Sequence, residues 1–275
     1  MKFGIATFVT DESIRPDVLG RALEERGFDS LFLAEHSHIP ISRESPFPGG
    51  GALPRRYYRT LDPFVALTAA AATTSRLLLA TGVALLIQRD VIHTANEVAS
   101  LDLVSGGRVL FGVGAGWNRE EMRNHGTDPR TRGALLDEQI QALKEIWTRD
   151  EAEFHGRHVD FDPIHLWPKP LQRPHPPVYV GGESPAALNR LAKYGDAWLP
   201  RAGTEPAELR RVRTWLAAQG RPDVPFTVFG ASADERLLDG YAEAGADRVT
   251  FLLPTLGEAE TLAHLDDLVK VVSGR

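Results

Sequence analysis

The 275-residue chain has no cysteine. That absence removes disulfides, zinc–thiolate sites, iron–sulfur clusters and thiol nucleophiles, and it fits a reducing cytoplasm. Positive charge is in short supply: 31 Lys and Arg against 37 Asp and Glu leave a formal net charge of −6. A general nucleic-acid binder needs a basic footprint to release counterions from phosphates, so this balance argues against one. Long hydrophobic runs are missing too. The longest apolar stretch, Leu77–Ile87, falls well short of the roughly 20 residues a membrane helix needs. The first residues, Met1–Ser13, carry too short an apolar run for a signal peptide. The expectation is a soluble, cytoplasmic protein whose partner is a small molecule, with no nucleic acid and no membrane.

What is present alternates. Short runs rich in β-branched and aromatic residues precede longer segments with helical spacing. Phe3–Phe8, Ser30–Glu35, Arg76–Leu86, Arg108–Gly114, Val178–Val180, Ala197–Leu199, Phe226–Phe229 and Arg248–Leu253 read as strands. Each is followed by a helical pattern, for example Asp62–Ser75, where Asp62 suits an N-cap and Pro63 the first helical position, and Ala134–Trp147. The strands are continuous apolar runs, as in parallel sheets buried on both faces. Repeated β-α units predict a single α/β domain over 1–275, a (β/α)8 TIM barrel, with a doubly wound open sheet as the structural rival. Two segments break the rhythm. Ile39–Thr60, rich in Pro, Gly and Arg, is expected to be a lid over the active face. Asp150–Pro177 is expected to be an insertion before the fifth barrel strand, with a hairpin around Phe154–Phe161, that also closes over the site.

Chemistry in a barrel sits where strands end. Those ends hold few nucleophiles here and much glycine, which suits the approach of backbone to a large planar ligand. The run Gly112–Gly116 falls short of a dinucleotide fingerprint, because Trp117 stands where the last glycine belongs. Gly181-Gly182-Glu183-Ser184-Pro185 combines free backbone N–H groups with an N-cap and a helix start, a pattern suited to a phosphate or to an ordinary turn. Gly82 interrupts an apolar strand and marks close approach or tight packing. His36 is the candidate for proton chemistry, with a structural histidine as the alternative. Glu120 and Glu121 suit the first turn of a helix, with catalytic use as the alternative. Arg201 either grips an acidic group or is solvated. No metal site is expected: His36-x-His38 and His155-x-x-His158 lack a third ligand at a fitting spacing, and HExxH is absent.

At these residues the sequence resembles the luciferase-like monooxygenase superfamily, and within it the F420-dependent oxidoreductases. The resemblance covers nearly the whole chain. It is carried by Gly27–His36 (GFDSLFLAEH), Thr81-Gly82-Val83, the run from Glu97 through Leu101–Trp117 (LDLVSGGRVLFGVGAGW), Val180-Gly181-Gly182 and Tyr194–Trp198. It implies a (β/α)8 barrel with a flavin or deazaflavin across its mouth, and a non-prolyl cis peptide at Gly82–Val83 under the central ring. It further implies that Glu35 and His36 contact the cofactor, with His36 catalytic. Thr81, Gly82 and Val83 would lie beneath the ring, Ala115, Gly116 and Trp117 along the cofactor's side chain, and Gly181, Gly182, Glu183 and Ser184 on the phosphate side. Trp117, Trp198 and Arg201 would line the substrate side. FMN-using relatives place an arginine at the position of Ala115, which favours F420 with FMN as the alternative. Deazaflavin-dependent sugar-phosphate dehydrogenases have a glutamate at the position of Trp117, which argues against that substrate. The function implied is hydride transfer between F420 and a small organic substrate. The rivals are an FMN-dependent monooxygenase and a non-catalytic cofactor-binding barrel. Relatives are often homodimers.

Overall fold

The structure is a computed structural model that describes residues 1–201 and 203–274. Eight parallel strands form the barrel: β1 (Lys2–Thr7), β2 (Ser30–Leu33), β3 (Leu78–Thr81), β4 (Val109–Val113), β7 (Val178–Gly181), β8 (Ala197–Leu199), β9 (Thr227–Ala231) and β10 (Arg248–Leu252). Their order is β8-β7-β4-β3-β2-β1-β10-β9. Parallel bridges Trp198–Phe226 and Arg201–Phe229 join the two ends. The remaining strands, β5 (Ala152–His155) and β6 (Asp160–Ile164), form an antiparallel hairpin apart from the barrel.

Helices α1 (Pro16–Glu25), α2 (Pro63–Ala71), α3 (Val91–Ser105), α4 (Arg119–Asn124), α5 (Arg132–Thr148), α6 (Pro185–Tyr194), α7 (Pro206–Ala218), α8 (Glu235–Glu243) and α9 (Glu258–Val272) follow the strands. The sequence signals act at their ends. The carboxylate of Asp62 accepts from the N–H groups of Phe64 and Val65, and Gly106, at φ 75°, closes α3. The larger core lies between strands and helices, around residues such as Phe64, Phe111 and Trp147. A smaller cluster, including Ala6, Phe32, Ala80, Leu110, Tyr179, Ala197 and Leu199, fills the barrel interior, as side chains do in a closed sheet of this size.

Two boundaries differ from the sequence reading. The third strand stops at Thr81, not Leu86. The peptide Gly82–Val83 is cis, and Leu86–Gln88 forms a short 3-10 turn. The apolar run continues past the strand because, beyond a single parallel bridge of Ala84 to Val113, Leu85–Ile87 are buried outside the sheet. Helix α2 ends at Ala71, because the N–H groups of Ser75, Arg76 and Leu77 turn to the carboxylate of Glu24 (2.6–3.0 Å).

The insertion is a correction. Asp150–Pro177 leaves the C-terminal end of α5 and returns to the start of β7, so it lies at the face opposite the mouth. Gln172 bonds Asp102 and the carbonyl of Val109, and Lys169 bonds the carbonyls of Ile146 and Arg149. It does not close over the site. The Ile39–Thr60 loop follows β2 and lies at the mouth, where Pro48, Arg56 and Tyr57 border the cavity. No helix among the described residues is long and apolar enough to cross a membrane.

Candidate active site

The C-terminal ends of the strands open into a cavity of about 760 Å3. Its floor is small. Gly82 and Val83 follow β3, and Gly114, Ala115 and Gly116 follow β4. A side chain at Gly82 would collide with the Phe229 ring (2.4 Å), which accounts for the glycine after an apolar strand. Aromatic rings wall one side. His36 lies 5.1 Å from Tyr57 and 5.7 Å from Trp117, and Phe8 lies 4.6 Å from Tyr57. Burial pushes the Tyr57 phenol above its ordinary value, with the charge of Arg56 opposing, so the hydroxyl stays protonated at neutral pH.

His36 is held by a residue 85 positions away. Its Nδ1 lies 2.8 Å from Oε2 of Glu121, a side chain with no solvent exposure, and Oε1 of the same carboxylate accepts from the Ser37 N–H at 3.1 Å. With Nδ1 engaged by that carboxylate, Nε2 is left as the nitrogen that can serve a ligand. The sequence marks Glu121 as a helix-start acid, with catalytic use as the alternative, and does not pair it with His36. Its neighbour Glu120 turns the other way, to the N–H (2.8 Å) and hydroxyl of Ser45 in the 39–60 loop. Burial would raise the Glu120 carboxyl, but these two donors outweigh it and hold it below its ordinary value. Ser37 Oγ bridges His38 (2.9 Å) and His125 (2.7 Å) on the exposed side.

Glu35 borders the cavity, but its carboxylate is engaged elsewhere. It accepts from the Leu85 N–H at 2.6 Å and from Arg89 at 2.7 Å. Arg89 also reaches Asp62 (2.7 Å) and Glu97 (2.9 Å) and lies over Phe64. Glu35 therefore shapes the turn after β3 rather than offering a free carboxylate.

At the opposite end, Gly181 and Gly182 lead into α6, with Gly182 at φ 100°. Ser184 caps the helix by accepting from the Ala187 N–H. Among the described residues the N–H groups of Glu183 and Ser184 have no acceptor, so this turn offers donors to an anion. Glu183 itself is paired with Arg201, accepting from its backbone N–H (2.6 Å) and its guanidinium (2.9 Å). Arg201 thus lines the cavity as half of an ion pair. Arg190 of α6 pairs with Asp137 and donates to the Gly133 carbonyl, drawing the start of α5 to the same end. Beyond it, Pro129, Arg130 and Arg132 are shared with a second groove of about 670 Å3 that also carries Arg119 and Arg123.

Two expected site residues face away. Trp198 is fully buried in the core outside the barrel, against Phe226 (5.0 Å), with Nε1 donating to the Gly182 carbonyl at 2.9 Å. Side chains alternate along β8, so its neighbours Ala197 and Leu199 point inward and Trp198 outward. Thr81 is buried, and its hydroxyl donates to the Gly112 carbonyl at 2.7 Å rather than entering the cavity. Among the described residues, no group of three or more histidines and carboxylates is placed to hold a metal ion.

The family model for luciferase-like monooxygenases matches residues 17–245. The chain belongs to that family. An uncharacterized protein of Mycobacterium tuberculosis is 38% identical over 98% of this chain and 97% of its own length. Among solved structures, the monooxygenase RslO1 from Streptomyces bottropensis superposes with a TM-score of 0.78 at 18% identity, covering 99% of both chains. An F420-dependent secondary alcohol dehydrogenase does so with a TM-score of 0.75 at 18% identity, again covering 99% of both chains. At these identities the likeness is one of fold. The luciferase-like family consists of flavin- and deazaflavin-using oxidoreductases, and the cavity described above occupies the strand ends where such a barrel does its chemistry.

Proposed function

We propose that this protein is an F420-dependent oxidoreductase that transfers a hydride between the deazaflavin and a small organic substrate. The cavity suits such a group: a glycine floor for a planar ring, an aromatic wall, and an anion-accepting turn at Gly181–Ser184. The observation that carries the choice of cofactor is the anion end. Ala115 supplies no cation there, and the cavity continues into the groove of Arg119, Arg123, Arg130 and Arg132, of which Arg130 is paired with Asp128 and Arg123 with Glu44. FMN ends at its phosphate. The side chain of F420 continues beyond its phosphodiester as a series of carboxylates, which such a groove attracts.

When bound, the deazaflavin supplies a two-electron hydride donor or acceptor at C5. The protein contributes position and proton management. Ser184 and the N–H groups beside it hold the phosphate end. Gly82 and Val83 support the ring. Trp117 and Tyr57 keep the reacting side dry, which strengthens the hydrogen bonds made there. His36 Nε2 takes or gives the proton that accompanies the hydride, and Glu121 stabilises the imidazolium formed when Nε2 takes it.

The test is titration of the purified apoprotein with F420 and with FMN, followed by ring absorbance, and then replacement of Arg130 and Arg132 by Gln. Binding of F420 that weakens in the variant, with weak or absent FMN binding, is the expected result. Nanomolar FMN affinity with no deazaflavin binding overturns the proposal in favour of a flavin monooxygenase.

A further inference from the structure

Three arginines sit close together in the turn at the end of the 39–60 loop, and they are not treated alike. Arg55 and Arg59 are each held through two nitrogens by acids on the segment after β1, Arg55 by Glu12 and Arg59 by Asp11. Those pairs pin the turn. Arg56, between them, makes no ion pair and no side-chain hydrogen bond to a backbone carbonyl among the described residues, and its buried Nε has no partner. It borders the cavity, with its guanidinium 5.4 Å from the Phe8 ring centre and 5.6 Å from that of Tyr57.

The rest of the chain makes this unusual. Arg89 has three carboxylates, Arg248 has Asp29, Arg190 has Asp137, and Arg108 is surrounded by the carbonyls of Ala71, Thr74, Leu77 and Ser105. A guanidinium withdrawn from water normally finds such partners. Arg56 instead has two aromatic faces that fix its direction, and among the described residues its side-chain hydrogen-bond partner is the Tyr57 hydroxyl, not a carboxylate. Its edge is left for a ligand.

The position of Arg56 separates that ligand from the phosphate end. Tyr57, which carries Arg56, touches His36, and His36 follows β2. The Gly181–Ser184 turn follows β7, three strands further round the barrel. An anion on Arg56 therefore belongs to the molecule beside His36.

Resting on the reading of this cavity as a redox site, we infer that the substrate is an organic carboxylate with an apolar body. Its carboxylate is taken by Arg56, the Tyr57 hydroxyl is the neighbouring donor, and the apolar part lies against Phe8 and Trp117. A guanidinium fork matches a carboxylate through two parallel N–H···O bonds. That grip sets the reacting carbon relative to His36 Nε2 and makes Arg56 a specificity-determining residue.

The test compares benzoate with its neutral isostere benzamide by calorimetric titration into F420-loaded protein, wild type, R56Q and R56K. Benzoate is expected to bind about 10-fold or more tightly than benzamide to the wild type. R56Q is expected to erase that preference by weakening benzoate alone, and R56K to restore part of it. Unchanged melting temperature and F420 affinity in R56Q establish that the variant is folded and that the cofactor end is intact. If R56Q does not fold, R56K and R56M take its place. Equal binding of the two probes to the wild type, undiminished benzoate binding in the variants, or displacement of F420 by benzoate would each overturn the inference. Failure of F420 and FMN to bind at all would instead sink the redox assignment, while a benzoate preference lost in R56Q would still stand.

Discussion

Replacing Arg89 by Met isolates the cost of stranding a buried carboxylate next to the cavity. In the native protein Glu35 is only 7% exposed and Arg89 14%, and they are in direct contact. Asp62 and Glu97, the other partners of Arg89, are 43% and 41% exposed, so water solvates them when the guanidinium is gone. Glu35 has no such recourse. It keeps the Leu85 N–H and loses its counter-ion. Breaking a buried pair in this way costs about 3–5 kcal/mol. For a chain of this size each kcal/mol moves the melting temperature by about 2–4 °C, so R89M is expected to melt about 6–20 °C lower. Thermal denaturation followed by circular dichroism measures this directly. The decisive control is E35Q/R89M. Glutamine still accepts from Leu85 but carries no charge, so the double variant is expected to regain more than half of the loss although it lacks the same arginine. An R89M melting temperature close to that of the wild type would refute the reasoning. So would a double variant no more stable than R89M.

Two further outcomes are expected. E121Q removes the anion behind His36 while keeping its shape, so turnover with the loaded enzyme is expected to fall about 10²-fold, with KM and cofactor affinity little changed; wild-type turnover would show that Glu121 does not act through His36. Glu24 tests the acid side of the stability profile: burial alone would raise its carboxyl, but the N–H groups of Arg76, Leu77 and Ser75 hold it at about 2, against an ordinary 4.5. A lowered folded value means that its stabilisation is complete above pH 4.5 and is lost as the pH falls toward 2. E24A is therefore expected to melt lower than the wild type at pH 7 and to converge with it in that acid window, and a deficit that persists unchanged at pH 2 would contradict this origin.

The barrel was legible because its strands are apolar on both faces and its helices carry plain stop and start signals, such as Asp62-Pro63 and Gly106. The end of β3 was not, since Leu85–Ile87 are as apolar as a strand and are buried by other means. The place of the 150–177 insertion follows from topology rather than composition: a segment running from helix to strand must lie below the barrel, while one running from strand to helix lies above it. Trp198 could have been assigned outward from its place between Ala197 and Leu199, once those two are set inside. The pairings of Glu121 with His36 and of Glu35 with Arg89 join residues more than 50 positions apart and leave no local pattern. For the same reason Arg56 was invisible inside a loop rich in arginine, where only the three-dimensional structure shows which guanidinium borders the cavity without a carboxylate.

The short helix Arg119–Asn124 grips two unrelated segments with consecutive carboxylates, the covering loop through Glu120 and the imidazole through Glu121. A displacement of that turn tugs on both at once. One turn of helix therefore sets the anchor of the covering loop and the orientation of the His36 ring together.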